Sequence, residues 1–394
     1  MSDAKTDQNA ATENPQPEAA SSPAPPPIDP TQTHQVAEFK HDKTLTTCRI
    51  DPAGRFVFAG AEDSNVYRWE LATGEKTVLV GHESWVRSLD FSPDGERLYT
   101  AGWDGQLRWW VANAIQPESF RVVQAHHGFA RWVQTSPCGK LLATCGNDKF
   151  VRVWDVATGT QLVEMTGHRR HPYAVAFHPT DGTLVSEDLM GEVFVWDPRK
   201  SRRVATIDAS IMTGYDNKFA ADMGGARDIC FSANGTTLAC AGITNVVNSF
   251  AGQQDPIIVL IDWASQKITH HLQAKEKSTG IMWGIRFHPN GFLVGAVAKQ
   301  NGRGELLFWK REDAPVAKPP AAGNGTVAQV AASEKPIELK SFHALQLDKC
   351  ARGIDFTPDA RRVAIAHNDG SVRVYEMAAN KPAAAEKTAE QAPA

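Results

Sequence analysis

Thirteen histidines are the first residues in this chain that invite a chemical reading. His82, Thr100 and Asp104, and again His126, Thr144 and Asp148, offer an imidazole, a hydroxyl and a carboxylate at matching intervals. An imidazole set between a carboxylate and a hydroxyl is the proton-relay arrangement of nucleophilic hydrolysis. The same trio, buried once per structural unit, is a hydrogen-bonded brace with no access to substrate. His168-Arg169-Arg170-His171 brings two imidazoles close together, but in a loop setting and not on the helix face a metal pair uses. No phosphate-binding glycine loop, dinucleotide fingerprint or nucleophile elbow occurs.

Spacing decides between relay and brace. Four histidines precede four tryptophans by the same 28 residues: His41 to Trp69, His82 to Trp110, His126 to Trp154 and His168 to Trp196. An aspartate stands six residues before three of these tryptophans, at Asp63, Asp104 and Asp148. A hydroxyl stands ten residues before three of them, at Thr100, Thr144 and Ser186. A second signal is locked to this one. Turns such as Asp51-Pro52-Ala53-Gly54, Ser92-Pro93-Asp94-Gly95 and Ser136-Pro137-Cys138-Gly139 recur seven times, ending with Thr357-Pro358-Asp359-Ala360. Short apolar runs flank each turn, which is the grammar of a β-hairpin. A set that repeats once per unit is structural, so the chain is expected not to be an enzyme.

These residues resemble the WD-repeat family: the Gly81-His82 dipeptide, the Ser92-Pro93-Asp94-Gly95 turn and the Trp154-Asp155 ending carry the likeness. The resemblance implies an all-β fold, a β-propeller of four-stranded antiparallel blades. It also implies buried tetrads, His82–Thr100–Asp104–Trp110 and His126–Thr144–Asp148–Trp154. A third, His168–Ser186–Trp196, has Met190 where the acid belongs. Once insertions at 207–225 and 243–254 and a segment at 311–335 are set aside, seven turns leave about 41 residues per repeat, so seven blades are expected. His34-Gln35-Val36-Ala37-Glu38-Phe39 has no partner within the first repeat and is expected to complete the last blade, covering two exposed edges.

Composition sets the remaining bounds. Lys plus Arg is 41 against 45 for Asp plus Glu, so neither bulk nucleic-acid nor membrane binding is expected. Six cysteines without patterned spacing argue against a disulfide framework or a zinc site and for a reducing, cytoplasmic setting. Residues 1–33 and 377–394, rich in Ala and Pro or in Ala alone, and 311–335 lack apolar residues to bury. They are expected to be disordered, as two tails and an interblade linker, around a propeller spanning 34–376. Neither a cofactor nor a metal is expected.

Binding is the better functional lead. Four residues before the end of each inner strand stand Thr46, Arg87, Arg131, Tyr173, Arg227, Trp283 and Arg352. The resemblance places this register at the channel mouth on the top face, where partners dock. Arginine grips carboxylate or phosphate by forked hydrogen bonds, and aromatics supply contact area. The competing expectation pairs these arginines with Asp90, Asp228 and Asp355. Trp85, Trp103 and Phe129 near strand ends, and Tyr215 and Phe219 in the first insertion, would extend the surface. The chain is therefore read as a non-catalytic scaffold for an acidic or phosphorylated protein segment. The alternative is a propeller hydrolase with an anionic small molecule at the mouth.

Overall fold

The computed structural model describes residues 28–217, 219–248, 253–310 and 335–378. Each repeated turn closes a hairpin between the two inner strands of a sheet. In the second, Ser92 Oγ accepts the Arg97 N–H at 2.9 Å and donates to Asp94, while the Gly95 N–H donates to Ser92 O. Gly95 has φ +73°, where a side chain is costly. The turns also interlock between sheets. A Cβ on Gly54 would stand 2.9 Å from Pro358, one on Gly95 3.2 Å from Pro52, and one on Gly139 2.9 Å from Pro93. The repeated Pro and Gly are two halves of one contact between neighbours.

Seven such sheets are present among the described residues. Their inner strands are Leu45–Ile50, Val86–Phe91, Ala130–Thr135, Pro172–Phe177, Ala226–Phe231, Gly280–His288 and Ala351–Phe356. Each blade runs antiparallel from this strand outward, giving the expected seven-bladed propeller. Closure is also as expected: Thr33–Lys40 pairs with Ser371–Met377 as the outer strand of the seventh blade. Inner-strand N–H groups find partners on the adjoining blade. Asp90 accepts from Thr135 N–H at 2.6 Å, Asp228 from Ile285 N–H at 3.1 Å, and Asp355 from Ile50 N–H at 3.0 Å. Apolar side chains fill the space between blades, as where Trp132, Phe177, Phe194, Trp196, Ile229 and Val259 share one cluster.

Two features depart from the expected layout. The ordered body reaches back to Ile28: Asp29 caps a short 3-10 turn, Pro30–Gln32, and its N–H donates to Met377 O at 2.8 Å. Residues 1–27, 311–334 and 379–394 lie outside the described residues, and so do the expectations made for them. The segment at 311–335, nearly all of it outside the described residues, stands in chain order between the third strand of the sixth blade, Gly304–Lys310, and its fourth, His343–Leu347. On the way Ile337–Lys340 pairs in parallel with Lys267–Gln273, adding a fifth strand to the fifth blade. This strap ties two blades together.

Candidate binding site at the channel mouth

One backbone irregularity recurs in every inner strand. The register shifts at Thr46, Arg87, Arg131, Tyr173, Arg227, Trp283 and Arg352, each of them an extra residue with no opposite number on the second strand. Such a bulge bends the strand and re-aims one side chain. The seven positions read from the sequence are therefore the seven bulges, and the fold turns them toward the axis together.

Six of the seven converge. Arg87, Arg227 and Arg352 stack on Trp283, with guanidinium carbons 5.2, 5.7 and 4.9 Å from its ring centre. Arg131 and Arg227 sandwich Tyr173 at 4.3 Å each. Thr46 stands apart: its hydroxyl is spent on Val86 O, and its carbonyl receives Arg87 Nη1 at 3.4 Å. Trp283 contacts arginines from blades on opposite sides, so the axis is filled. The cavity beneath, lined by residues such as Arg49, Asp228, Arg286 and Arg352, holds about 10 Å³, the room of one water.

The expected pairing of these arginines with acids is not what the structure holds. Asp228 and Asp355 are taken by Arg286, at 2.6 and 3.2 Å, and Asp355 also by Arg49 at 3.6 Å. Asp90 is occupied by the Thr135 N–H. Among the described residues no carboxylate pairs with Arg87, Arg131, Arg227 or Arg352, and Arg227 Nε, Arg227 Nη1 and Arg352 Nε are buried without hydrogen-bond partners. Arg131 Nε donates to Asn147 Oδ1 at 2.6 Å. The uncompensated charge shows in the titration behaviour. Burial, followed by repulsion from Arg227, Arg131 and Arg352, pushes Arg87 down to about 10. Burial works to raise the Tyr173 phenol, yet the field of Arg227 and Arg131 outweighs it and leaves the phenol below its ordinary value.

The flanking aromatics also come together. Trp85, Trp103 and Phe129 form one stack, with ring centres 4.5 and 4.4 Å apart and planes within 18° and 10°. Phe129 lies 5.9 Å from the Arg131 guanidinium, so the stack runs into the ring. The insertion at 207–225 is a hairpin of Thr213–Asp216 with Ala221–Gly224, and the one at 243–254 lengthens the middle strands of the fifth blade, Thr237–Asn248 and Gln253–Asp262. The two pack together: Thr244 Oγ1 donates to Ile211 O at 2.6 Å, and Met212 is buried between them. Tyr215 and Phe219 remain 52% and 44% exposed.

The histidine sets are braces. Trp110 Nε1–H donates to Thr100 Oγ1 at 2.9 Å, and His82 Nε2 lies 2.7 Å from the same hydroxyl. His82 Nδ1 meets Asp104 at 2.8 Å, and since a carboxylate only accepts, the proton sits on Nδ1 and the hydroxyl donates to Nε2. The third blade repeats this with Trp154, Thr144, His126 and Asp148 at 2.9, 2.9 and 2.8 Å. Thr100 and Thr144 are fully buried, out of reach of a substrate. In the fourth blade His168 and Trp196 hold Ser186 at 2.6 and 2.8 Å, and Asp188 stands beside the gap left by Met190, its Oδ2 3.2 Å from His168 Nδ1 but without a hydrogen bond between them, so this brace is incomplete. Sequence spacing missed Asp188 because it comes from the strand end, two residues before the usual turn position. It also missed Arg49 and Arg286, whose signal is a charged residue one place before the last apolar residue of an inner strand, Ile50 and Phe287.

Comparison with known proteins agrees with this architecture. The repeat profile described as "WD domain, G-beta repeat" matches residues 33–70, 74–111 and 118–155. Its first match begins on the closing strand, so each sequence repeat is offset by one strand from a blade. With seven such blades, complete tetrads in the second and third and three repeats matched by the profile, the chain is a β-propeller of the WD40-repeat type. It is similar to transcription initiation factor TFIID subunit 5 of Caenorhabditis elegans, 27% identical over 173 residues, 44% of this chain and 26% of the relative. Nuclear distribution protein PAC1 of Arthroderma otae is 27% identical over 187 residues, 40% of each chain. Periodic tryptophan protein 2 of Arabidopsis thaliana is 23% identical over 270 residues, 55% of this chain and 30% of the relative. The chain thus spans less than half the length of these relatives.

Proposed function

We propose that the protein is a non-catalytic interaction scaffold whose channel mouth receives an acidic or phosphorylated segment of a protein partner. The observation that carries this reading is the set of four guanidiniums, aimed inward by bulges and held without carboxylate partners among the described residues. A fold that needed these arginines for stability would pair them, as it pairs Arg49 and Arg286. Stacking on Trp283 and Tyr173 fixes the guanidinium planes, and although Arg131 Nε is committed to Asn147 and Arg87 Nη1 to the Thr46 carbonyl, Arg227 Nε, Arg227 Nη1 and Arg352 Nε have donors to offer an anion. The blade-5 insertions raise a wall beside the ring. The cavity under the ring holds about 10 Å³, against the hundreds of cubic ångströms typical of a small-molecule site. Six unpaired thiols support a reducing compartment such as the cytoplasm. The test is affinity capture with mass spectrometry on the wild type and an Arg87→Glu, Arg227→Glu double variant. Partners should be lost in the variant while its melting temperature holds. Unchanged capture would move the site elsewhere.

A further inference from the structure

In the blade-5 hairpin Tyr215 lies opposite Asp222. Opposed residues share a face, and Asp222 Oδ2 accepts from Arg170 at 2.8 Å. The Tyr215 face therefore looks across Arg170, on the loop that leads into the fourth blade. The reverse face is occupied by the lengthened strand: a Cβ on Gly214 would stand 2.8 Å from Val246. Arg170 precedes Tyr173 by three residues and Asp222 precedes Arg227 by five. An extended chain covers at most about 3.5 Å per residue, so these pairs are no more than roughly 10 and 18 Å apart. Wall and ring are thus within reach of one short peptide. Tyr215 is 52% and Ile211 39% exposed, on an insertion whose own packing is met by buried Met212.

We propose that the hairpin wall and the arginine ring form one groove for an extended acidic protein segment, whose apolar side chain rests against Tyr215 while Asp or Glu side chains within about five residues of it engage Arg227, Arg87 and Arg352. This rests on the reading of the ring given above and narrows it. Several carboxylates suit the ring better than one phosphate. Four guanidiniums without carboxylate partners carry about four positive charges, more than the roughly two negative charges of a single phosphate, so several carboxylates balance them better.

The test is fluorescence anisotropy of the full chain with labelled Gly/Ser peptides. Each carries a pair of Glu residues, with one Trp placed within about five residues, placed about ten away, or omitted. The near Trp should tighten binding roughly 10-fold over the peptide lacking it, the worth of one largely covered apolar side chain. The distant Trp should give little of that gain. Tyr215→Ser should abolish the gain and leave Glu-only binding in place, with Ile211→Ser as a second, milder variant. Arg87→Glu with Arg227→Glu should abolish binding of every peptide. A gain that ignores spacing or survives Tyr215→Ser overturns the groove but leaves the ring. Binding by a phosphoserine version alone overturns the carboxylate assignment. No binding by any peptide defeats the ring reading and the groove with it.

Discussion

Replacing Arg87 with glutamine should remove a charge from the heart of the propeller without loss of stability. Burial and the three neighbouring arginines push this guanidinium well below its ordinary value, to about 10. At about 1.4 kcal/mol per tenfold change in protonation, the charged form carries roughly 3 kcal/mol of unfavourable free energy. For a side chain partly open to water at the mouth, about half of that survives screening. Against it stand a cation–π contact with Trp283 at 5.2 Å and a hydrogen bond to Thr46 O at 3.4 Å. Together these are worth about 1–1.5 kcal/mol. The balance lies between no change and a gain of about 0.5 kcal/mol. Urea unfolding measures it, and a salt series adds a check. Added salt should stabilise the wild type more than Arg87→Gln, because it screens a repulsion the variant lacks. A loss of about 1.5 kcal/mol or more would show that the ring is structural and refute the reasoning.

Trp154→Ala should cost about 3–5 kcal/mol, because the indole is buried and its N–H holds Thr144; an unshifted melting temperature would contradict the brace. Thr144→Val keeps the shape but strands both Trp154 Nε1 and His126 Nε2, so a loss of about 2–4 kcal/mol is expected in the same assay. His367 is fully buried, and burial followed by repulsion from Arg373 pushes it down to about 4. The folded protein therefore binds this proton later than the unfolded chain. Stability should be complete above about pH 6.5 and fall toward pH 4, by about 3 kcal/mol from this group. His367→Leu should flatten that part of the pH profile. Gly139→Val forces a side chain into φ +70° and against Pro93, so it should destabilise by about 2 kcal/mol or more in thermal melts.

Much of this fold is legible in the chain because its restraints are local and repeated. A turn such as Ser92-Pro93-Asp94-Gly95 states its own hairpin, and the 28-residue interval from His82 to Trp110 states the blade. The ring positions can be counted from strand ends because every inner strand bulges at the same place. What escaped reading depends on contacts between blades. Ile337-Glu338-Leu339-Lys340 alternates like any edge strand, and nothing within it announces a parallel partner in another sheet. Trp85, Trp103 and Phe129 each stand near a strand end, but their stacking needs two blades brought side by side. The assignment of Asp228 and Asp355 to Arg286 likewise follows from which residues line successive levels of the channel.

Photo-crosslinking tests the central claim most directly. p-Benzoylphenylalanine placed at Tyr173, in the ring, is compared with the same residue placed at Phe120, which is 50% exposed on the outer strand of the second blade. The account predicts partner adducts from position 173, lost when Arg87→Glu and Arg227→Glu are added, and none from position 120. Adducts from position 120 with none from 173 would place the partner on the blade rim and contradict it.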